Sequence, residues 1–151
     1  KDGGSITILN PAPAQPLGEN ILKLCDFVTP NEIEAEQITG IPVKSVSDAE
    51  VAADKLLEKG ASAAVITLGE QGALFKDSKQ IIHQPSFQVG PIVETTGAGD
   101  AFNGGLAVAL AEEMPIDKAL RFACATASIS VTRPGTAPSM PDRNEIDTLL
   151  T

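Results

Sequence analysis

A chain of 151 residues, 42% of them hydrophobic, has the length of one ordinary domain and enough apolar side chains to build a real core. Its 20 Asp+Glu against 11 Lys+Arg give a net charge of −9, which argues against a nucleic-acid surface, because phosphate backbones need a basic footprint and no basic stripe is present. No run approaches the roughly 20 consecutive apolar residues of a membrane helix, and the opening KDGGSITILN has neither the apolar core of a signal peptide nor an initiating Met. The expectation is a soluble, cytoplasmic protein without nucleic-acid or membrane partners, whose true beginning lies before Lys1. Cys25 and Cys124 are far apart with no CxxC spacing, so neither a disulfide framework nor a zinc site is indicated, and both read as small buried residues. An acidic chain can still hold an anion, through backbone N–H groups and helix ends rather than net charge.

In chain order, Ser5 to Leu9 reads as a strand ended by Asn10-Pro11-Ala12-Pro13. Leu17, Ile21, Leu22 and Leu24 form a weak helical stripe before a short strand at Phe27-Val28. Asn31 followed by Glu34 gives the capping-box pattern for a helix to about Thr39, stopped by Gly40. The spacing of Val51, Ala52, Leu56 and Leu57 predicts a helix over 47–59, with Ser47 as cap and Gly60 as terminator, and a buried strand follows at 63–68. Gly69-Glu70-Gln71-Gly72 is a turn, and a hairpin is expected across 72–84 around Asp77-Ser78. Three helices follow, from about Gly99 to Glu112, Ile116 to about Val131, and Asp142 to Leu150. Strands alternating with helices argue for an α/β fold with a mainly parallel sheet and helices on both faces, in which small-ligand sites form at strand carboxyl ends.

The stretch Glu94-Thr95-Thr96-Gly97-Ala98-Gly99-Asp100 places small residues and one carboxylate where an apolar helix begins. The simplest reading is a flexible link with an N-capping Asp. The apolar helix behind it, Ala101, Phe102, Leu106 to Leu110, suggests instead a start that points into a cleft. Glycines let the backbone approach a ligand, and free N–H groups at a helix start bind phosphate without any Lys. The spacing fits neither a GxGxxG dinucleotide fingerprint nor a GxxxxGK[ST] P-loop. An anion hole edged by a carboxylate remains. It suits phosphoryl transfer, in which amides stabilise the moving phosphoryl and Asp accepts a hydroxyl proton.

These residues resemble the second signature of the ribokinase-like (PfkB) family of carbohydrate kinases, usually DTxGAGD, and Asn31-Glu32-Ile33-Glu34 resembles that family's NxxE element. Further matches run in order through Leu9-Asn10-Pro11-Ala12-Pro13-Ala14, Thr67 to Gly72 and Val131-Thr132-Arg133-Pro134-Gly135. The resemblance implies ATP-dependent transfer of the γ-phosphoryl to the primary hydroxyl of a sugar, with ribose the expected acceptor and Asp100 the catalytic base. The amides of Gly97, Ala98 and Gly99 would form the anion hole, and Asn31 and Glu34 would organise Mg²⁺ and phosphates largely through water, while also capping their helix. Thr67, Gly69 and Gly72 would border the nucleotide, and Cys124 falls where the family contacts adenine. A monovalent cation, usually K⁺, is implied beside the anion hole at Glu94, Thr96, Ser130, Arg133, Gly135 and Ser139, several acting through backbone carbonyls. Here Glu94 stands for the usual Asp; its extra methylene moves the carboxylate by about one C–C bond and leaves the identity of the cation open.

The family is about twice this length. The chain is therefore expected to be the C-terminal, nucleotide-binding half, without the N-terminal half that carries the sugar-reading residues and the lid that forms a homodimer. An interior strand at Ser5–Leu9 would then be left with a free edge. Two alternatives stay open: a non-catalytic nucleotide-binding or self-associating fragment, and a sibling kinase for fructose, 2-keto-3-deoxygluconate or a nucleoside. His83 reads as exposed, and Glu112-Glu113 and Asp48 with Glu50 as solvated helix ends.

Overall fold

The structure is a computed structural model describing residues 3–13, 15, 17 and 20–151. Ala14 and the Gly18-Glu19 part of the stripe from Leu17 lie outside the described residues. The chain divides into two units, one up to His83 and one from Gln84.

The first unit is built on a five-stranded sheet, β1 (Ile8–Leu9), β2 (Phe27–Val28), β3 (Ala63–Thr67), β4 (Ala73–Asp77) and β5 (Ile81–Gln84), in that spatial order. β1, β2 and β3 run parallel, with Ile8 opposite Phe27 and Val28 opposite Ala64; β4 is antiparallel to β3, with Val65 opposite Phe75. This is the expected mixed, mainly parallel sheet, with the hairpin β4–β5 where 72–84 predicts it. The reversal is fixed by Asp77, whose carboxylate accepts from the amides of Lys79 and Gln80 at 2.7 and 2.8 Å.

β1 is shorter than expected. Ahead of it the Thr7 carbonyl still accepts the Phe27 amide at 3.0 Å, while its amide and hydroxyl both donate to the Asp26 carboxylate, at 2.9 and 2.8 Å. β1 is one edge of the described sheet, and Ile6 before it is 53% exposed. Of the helix expected from Leu17, the described part forms only a 3₁₀ turn at Leu22–Leu24.

α1 (Glu32–Thr39) begins and ends as its sequence dictates, between Asn31 and a left-handed Gly40. α2 (Val46–Glu58) is capped by Ser45, not Ser47: the Ser45 hydroxyl accepts the Asp48 amide at 3.2 Å and donates to the Asp48 carboxylate at 2.8 Å. The spacing Ser45-x-x-Asp48 satisfies the cap, and Asp48, read as a solvated end, is half-buried in it. Hydrogen bonds from Ser45 and the Lys44 amide hold its carboxyl below the ordinary value. The apolar stripe of α2 meets one sheet face in a core that includes Val28, Ala52, Leu56, Ala64, Ile66 and Leu74. On the opposite face Ala63, Val65 and Phe75 are also buried, and Phe75 lies 6.4 Å from Phe27.

The second unit is helical: α3 (Ala98–Ala111), α4 (Ile116–Ser130) and α5 (Arg143–Leu150). α3 and α4 form a close helical pair, because a Cβ added at Gly105 would stand 2.7 Å from Thr126 Oγ1 and 3.1 Å from Ala123 Cα. α3 is not enclosed all round, as its composition suggests: Ala101, Phe102, Leu106 and Ala109 are buried, but Val108 is 45% exposed. α5 opens with a capping box between Asp142 and Glu145, and Arg143 lies 5.1 Å over the ring of Phe122 while bonding Glu112 at 2.6 Å. No helix among the described residues is long and apolar enough to cross a membrane.

Candidate functional site

The candidate residues fall into one group in each unit. In the second unit, the N-cap of α3 is Gly97 rather than Asp100, in a left-handed conformation (φ +84°) that only glycine adopts freely. A Cβ there would come within 3.2 Å of Thr136. Asp100 is instead the third helical residue and is exposed. The Ala98 amide, expected in the anion hole, donates to the Thr95 carbonyl at 3.1 Å. The amides of Gly97, Gly99 and Asp100 have no acceptor among the described residues. Nothing lies within 4 Å of where a Gly99 side chain would be, so this first turn is open. Asn103 steadies it by donating to the Gly99 carbonyl at 2.9 Å. A glycine cap with unsatisfied amides and open space beside it is a cradle that fits a phosphate group.

The residues before this turn are tied to the loop after α4. The amides of Val93 and Glu94 both donate to the Val131 carbonyl, at 2.8 and 3.2 Å, and the Glu94 carboxylate accepts the Gly135 amide at 2.7 Å. Glu94 and Gly135, two of the expected cation residues, are thus brought together. Ser130 and Ser139 are buried; their hydroxyls donate to the Ala127 and Thr136 carbonyls at 2.8 and 2.6 Å. Thr96 is exposed. The Arg133 side chain is itself a cation and is taken by Glu145, which accepts from both guanidinium nitrogens, at 3.2 Å for Nη1; any contribution of Arg133 to a cation comes from its carbonyl. That hydrogen bond holds the Glu145 carboxyl below its ordinary 4.5. The stability it gives is full above that value and is lost as pH falls through the lowered one. Among the described residues no three His, Cys, Asp or Glu gather as a metal cluster. The donors offered here are one carboxylate, hydroxyls and carbonyls, a hard-oxygen set of the kind that suits K⁺.

In the first unit, Asn31, Glu34, Thr67, Gly69 and Gly72 cluster at the carboxyl end of β3 and the start of α1. Asn31 Oδ1 accepts the Glu34 amide and Glu34 Oε2 accepts the Asn31 amide, each at 2.9 Å, with Glu34 only 8% exposed. Thr67 donates its amide to Pro30 at 3.0 Å, and the Leu68 amide reaches the Gly72 carbonyl at 2.8 Å. Gly69 and Gly72 both have positive φ, which keeps this turn tight. His83 is exposed, as read from the sequence, but its Nε2 lies 2.7 Å from the Gln71 carbonyl and braces the same turn.

Cys124 is buried in α4, its Sγ 3.9 Å from the Gln84 carbonyl. Burial pushes the thiol up to about 12, so it stays protonated at neutral pH and is not a nucleophile. The sequence reading missed Thr136, against Gly97, and Glu145, against Arg133. Glu145 carries a local signal only for its capping role, three residues after Asp142.

A family profile described as pfkB family carbohydrate kinase matches residues 1–143. The ribokinase of Haemophilus influenzae is 44% identical over 147 residues, covering 96% of this chain and 47% of that protein. A deoxyribokinase of Salmonella typhi is 38% identical over 151 residues, covering 99% and 49%. The structure of Arabidopsis thaliana ribokinase complexed with ribose and ATP matches with a TM-score of 0.95 at 34% identity, over 99% of this chain and 49% of that one. The chain spans about half the length of the relatives it matches.

Proposed function

Because the chain belongs to the pfkB family of carbohydrate kinases, we propose that it is the C-terminal, nucleotide-binding half of an ATP-dependent sugar kinase, and that ribose is the acceptor. The observation that carries this reading is the start of α3: a first turn with no side-chain cap, whose Gly97 and Gly99 amides have no acceptor among the described residues, and a carboxylate, Asp100, one residue further on.

In this reading Asp100 takes the proton from the sugar's primary hydroxyl as that oxygen attacks the γ-phosphorus. The bond to the β-phosphate oxygen breaks and ADP leaves. Charge on the transferring phosphoryl is stabilised by the α3 amides, which cost no reorganisation because the backbone already holds them in place. The Ala98 amide joins only by giving up Thr95. Asn31 and Glu34 keep α1 rigid through their mutual cap, and Asn31 Nδ2 and Glu34 Oε1 would hold waters around Mg²⁺, which would supply charge neutralisation when bound. Thr67, Gly69 and Gly72 shape a turn for the nucleotide, and Cys124 lends apolar surface for adenine. Glu94, with carbonyls and hydroxyls from Thr96, Ser130, Arg133, Gly135 and Ser139, offers the oxygen set for K⁺.

The test is sugar-dependent ADP release by the full-length protein, run over a panel of ribose, 2-deoxyribose, fructose, 2-keto-3-deoxygluconate and nucleosides. Ribose is expected to give the highest kcat/KM. A preference for deoxyribose, the sugar in the name of the 38% identical deoxyribokinase, would replace the acceptor and keep the reaction. Absence of phosphorylation of every member would refute the kinase reading, as would an Asp100→Asn variant with wild-type turnover. The 151-residue chain alone is expected to be inactive; turnover by it would refute the assignment as half an enzyme.

A further inference from the structure

Glu145 holds two different partners at once. Its Oε2 accepts the Asp142 amide at 2.9 Å, closing the cap of α5, and its carboxylate takes both terminal nitrogens of Arg133. Arg133 sits two residues before Gly135, whose amide is held by Glu94 at 2.7 Å. Glu94 in turn stands three residues before Gly97, and Gly97 rests against Thr136. A continuous series of contacts therefore runs from the first turn of α5 through the 131–136 loop to the first turn of α3.

We propose that Glu145 is a positioning residue for the Gly97–Asp100 turn: by clamping Arg133 it fixes the 131–136 loop, and through the Gly135–Glu94 bond it sets where the α3 amides point. This rests on the reading of that turn as the phosphate site. A helix cap needs only one carboxylate oxygen on one amide, as Glu34 shows when its Oε2 takes the Asn31 amide at the start of α1. The fork-on-fork pairing with Arg133 exceeds that need and joins a helix to a loop that has no regular ladder of its own. Because Glu94 carries one methylene more than the family's usual Asp, its carboxylate has an added rotatable bond, and a loop anchored from the far side by Arg133 gives it a fixed amide to close on.

The experiment uses two readouts on the same variants of the full-length protein: residue-resolved amide exchange at Gly135, and kcat and KM for ATP. Glu145→Ala and Arg133→Ala are each expected to speed Gly135 exchange at least about tenfold and to lower kcat about tenfold, with KM for ATP within about twofold, since the turn acts on the phosphoryl in flight. Arg133→Lys should fall between them and wild type, because an ammonium keeps the charge but loses the fork. Asp142→Ala removes the other half of the α5 cap and leaves the Arg133 pair, so both readouts should stay at wild type. If Glu145→Ala does not fold, Glu145→Gln serves, as its amide oxygen can still accept the cap while the charge is gone. Wild-type Gly135 exchange or wild-type kcat in Glu145→Ala or in Glu145→Gln would overturn the proposal. So would an Asp142→Ala variant that reproduces the loss. A wild-type protein without sugar-dependent ADP release would refute the kinase reading instead, and the exchange at Gly135 would then decide the clamp by itself.

Discussion

Asn31 and Glu34 turn both their side chains onto the start of α1, and the backbone amides of the cap and third helical residue there are satisfied within the motif. At the start of α3 the same two positions are Gly97 and Asp100; the first has no side chain, the second makes no reciprocal bond, and their amides lack acceptors among the described residues. Both helices open on a motif with a carboxylate at its third residue, and the physics of the two starts is opposite. One helix positive end is already occupied by its own carboxylate, while the other is left for a charge that is not part of the chain. A motif residue that closes a cap stabilises the fold whether or not it also meets a ligand. A motif residue that leaves a cap open destabilises locally, and its use lies elsewhere.

This contrast can be broken at several points. Asp100→Asn should cut turnover of the full-length protein by about 10²–10⁴-fold and leave its melting curve in place, because the Asp100 side chain is exposed; a large loss of stability instead would make it structural. Gly97→Ala should cost about 1–3 kcal/mol in chemical denaturation, since the side chain meets both a positive φ and Thr136. Adding Thr136→Ala should recover only part of that loss, because it removes Cγ2 at 3.2 Å but leaves Cβ at 3.3 Å and the positive φ. Asn31→Ala should cost about 1 kcal/mol; a cost near zero would show that α1 does not depend on its cap. The smallest effect is the most specific. Inorganic phosphate at a concentration equal to its Kd should stabilise by about 0.4 kcal/mol and slow exchange at the Gly97 and Gly99 amides, leaving those of Asn31 and Glu34 unchanged. Equal slowing at both helix starts would erase the contrast.

Local rules made much of this legible. Asn31-x-x-Glu34 followed by Gly40 dictates α1 at both ends, the apolar run at 63–67 dictates a strand buried on both faces, and Asp77 marks the hairpin. Where two local signals compete, sequence reading slips: Ser45 and Ser47 can each cap α2, and only the pairing of Ser45 with Asp48 decides. Composition misled at α3, because alanine and glycine are compatible with an exposed face as well as a buried one, and Val108 is exposed. In the candidate site, the residues of the Gly97–Asp100 turn were visible as a motif. Their supports were not, since the bonds Gly135–Glu94 and Arg133–Glu145 join positions 41 and 12 residues apart and leave no periodic trace.

Gly105 shows how far one missing methyl group reaches. The hairpin of α3 and α4 places Gly97 and the 131–136 loop at the same end, about 12 Å along the helix axis from Gly105 at 1.5 Å per residue. Thr126 and Ala123 already touch the place where a side chain at 105 would go. A methyl there acts as a wedge between two levers: the helices must splay, and the opening is transmitted to the far tips, where the Val93 and Glu94 amides meet the Val131 carbonyl. Spacing between the turn and its loop is therefore governed by a glycine that touches neither, and a substitution two helical turns away would detune the site without altering one of its residues.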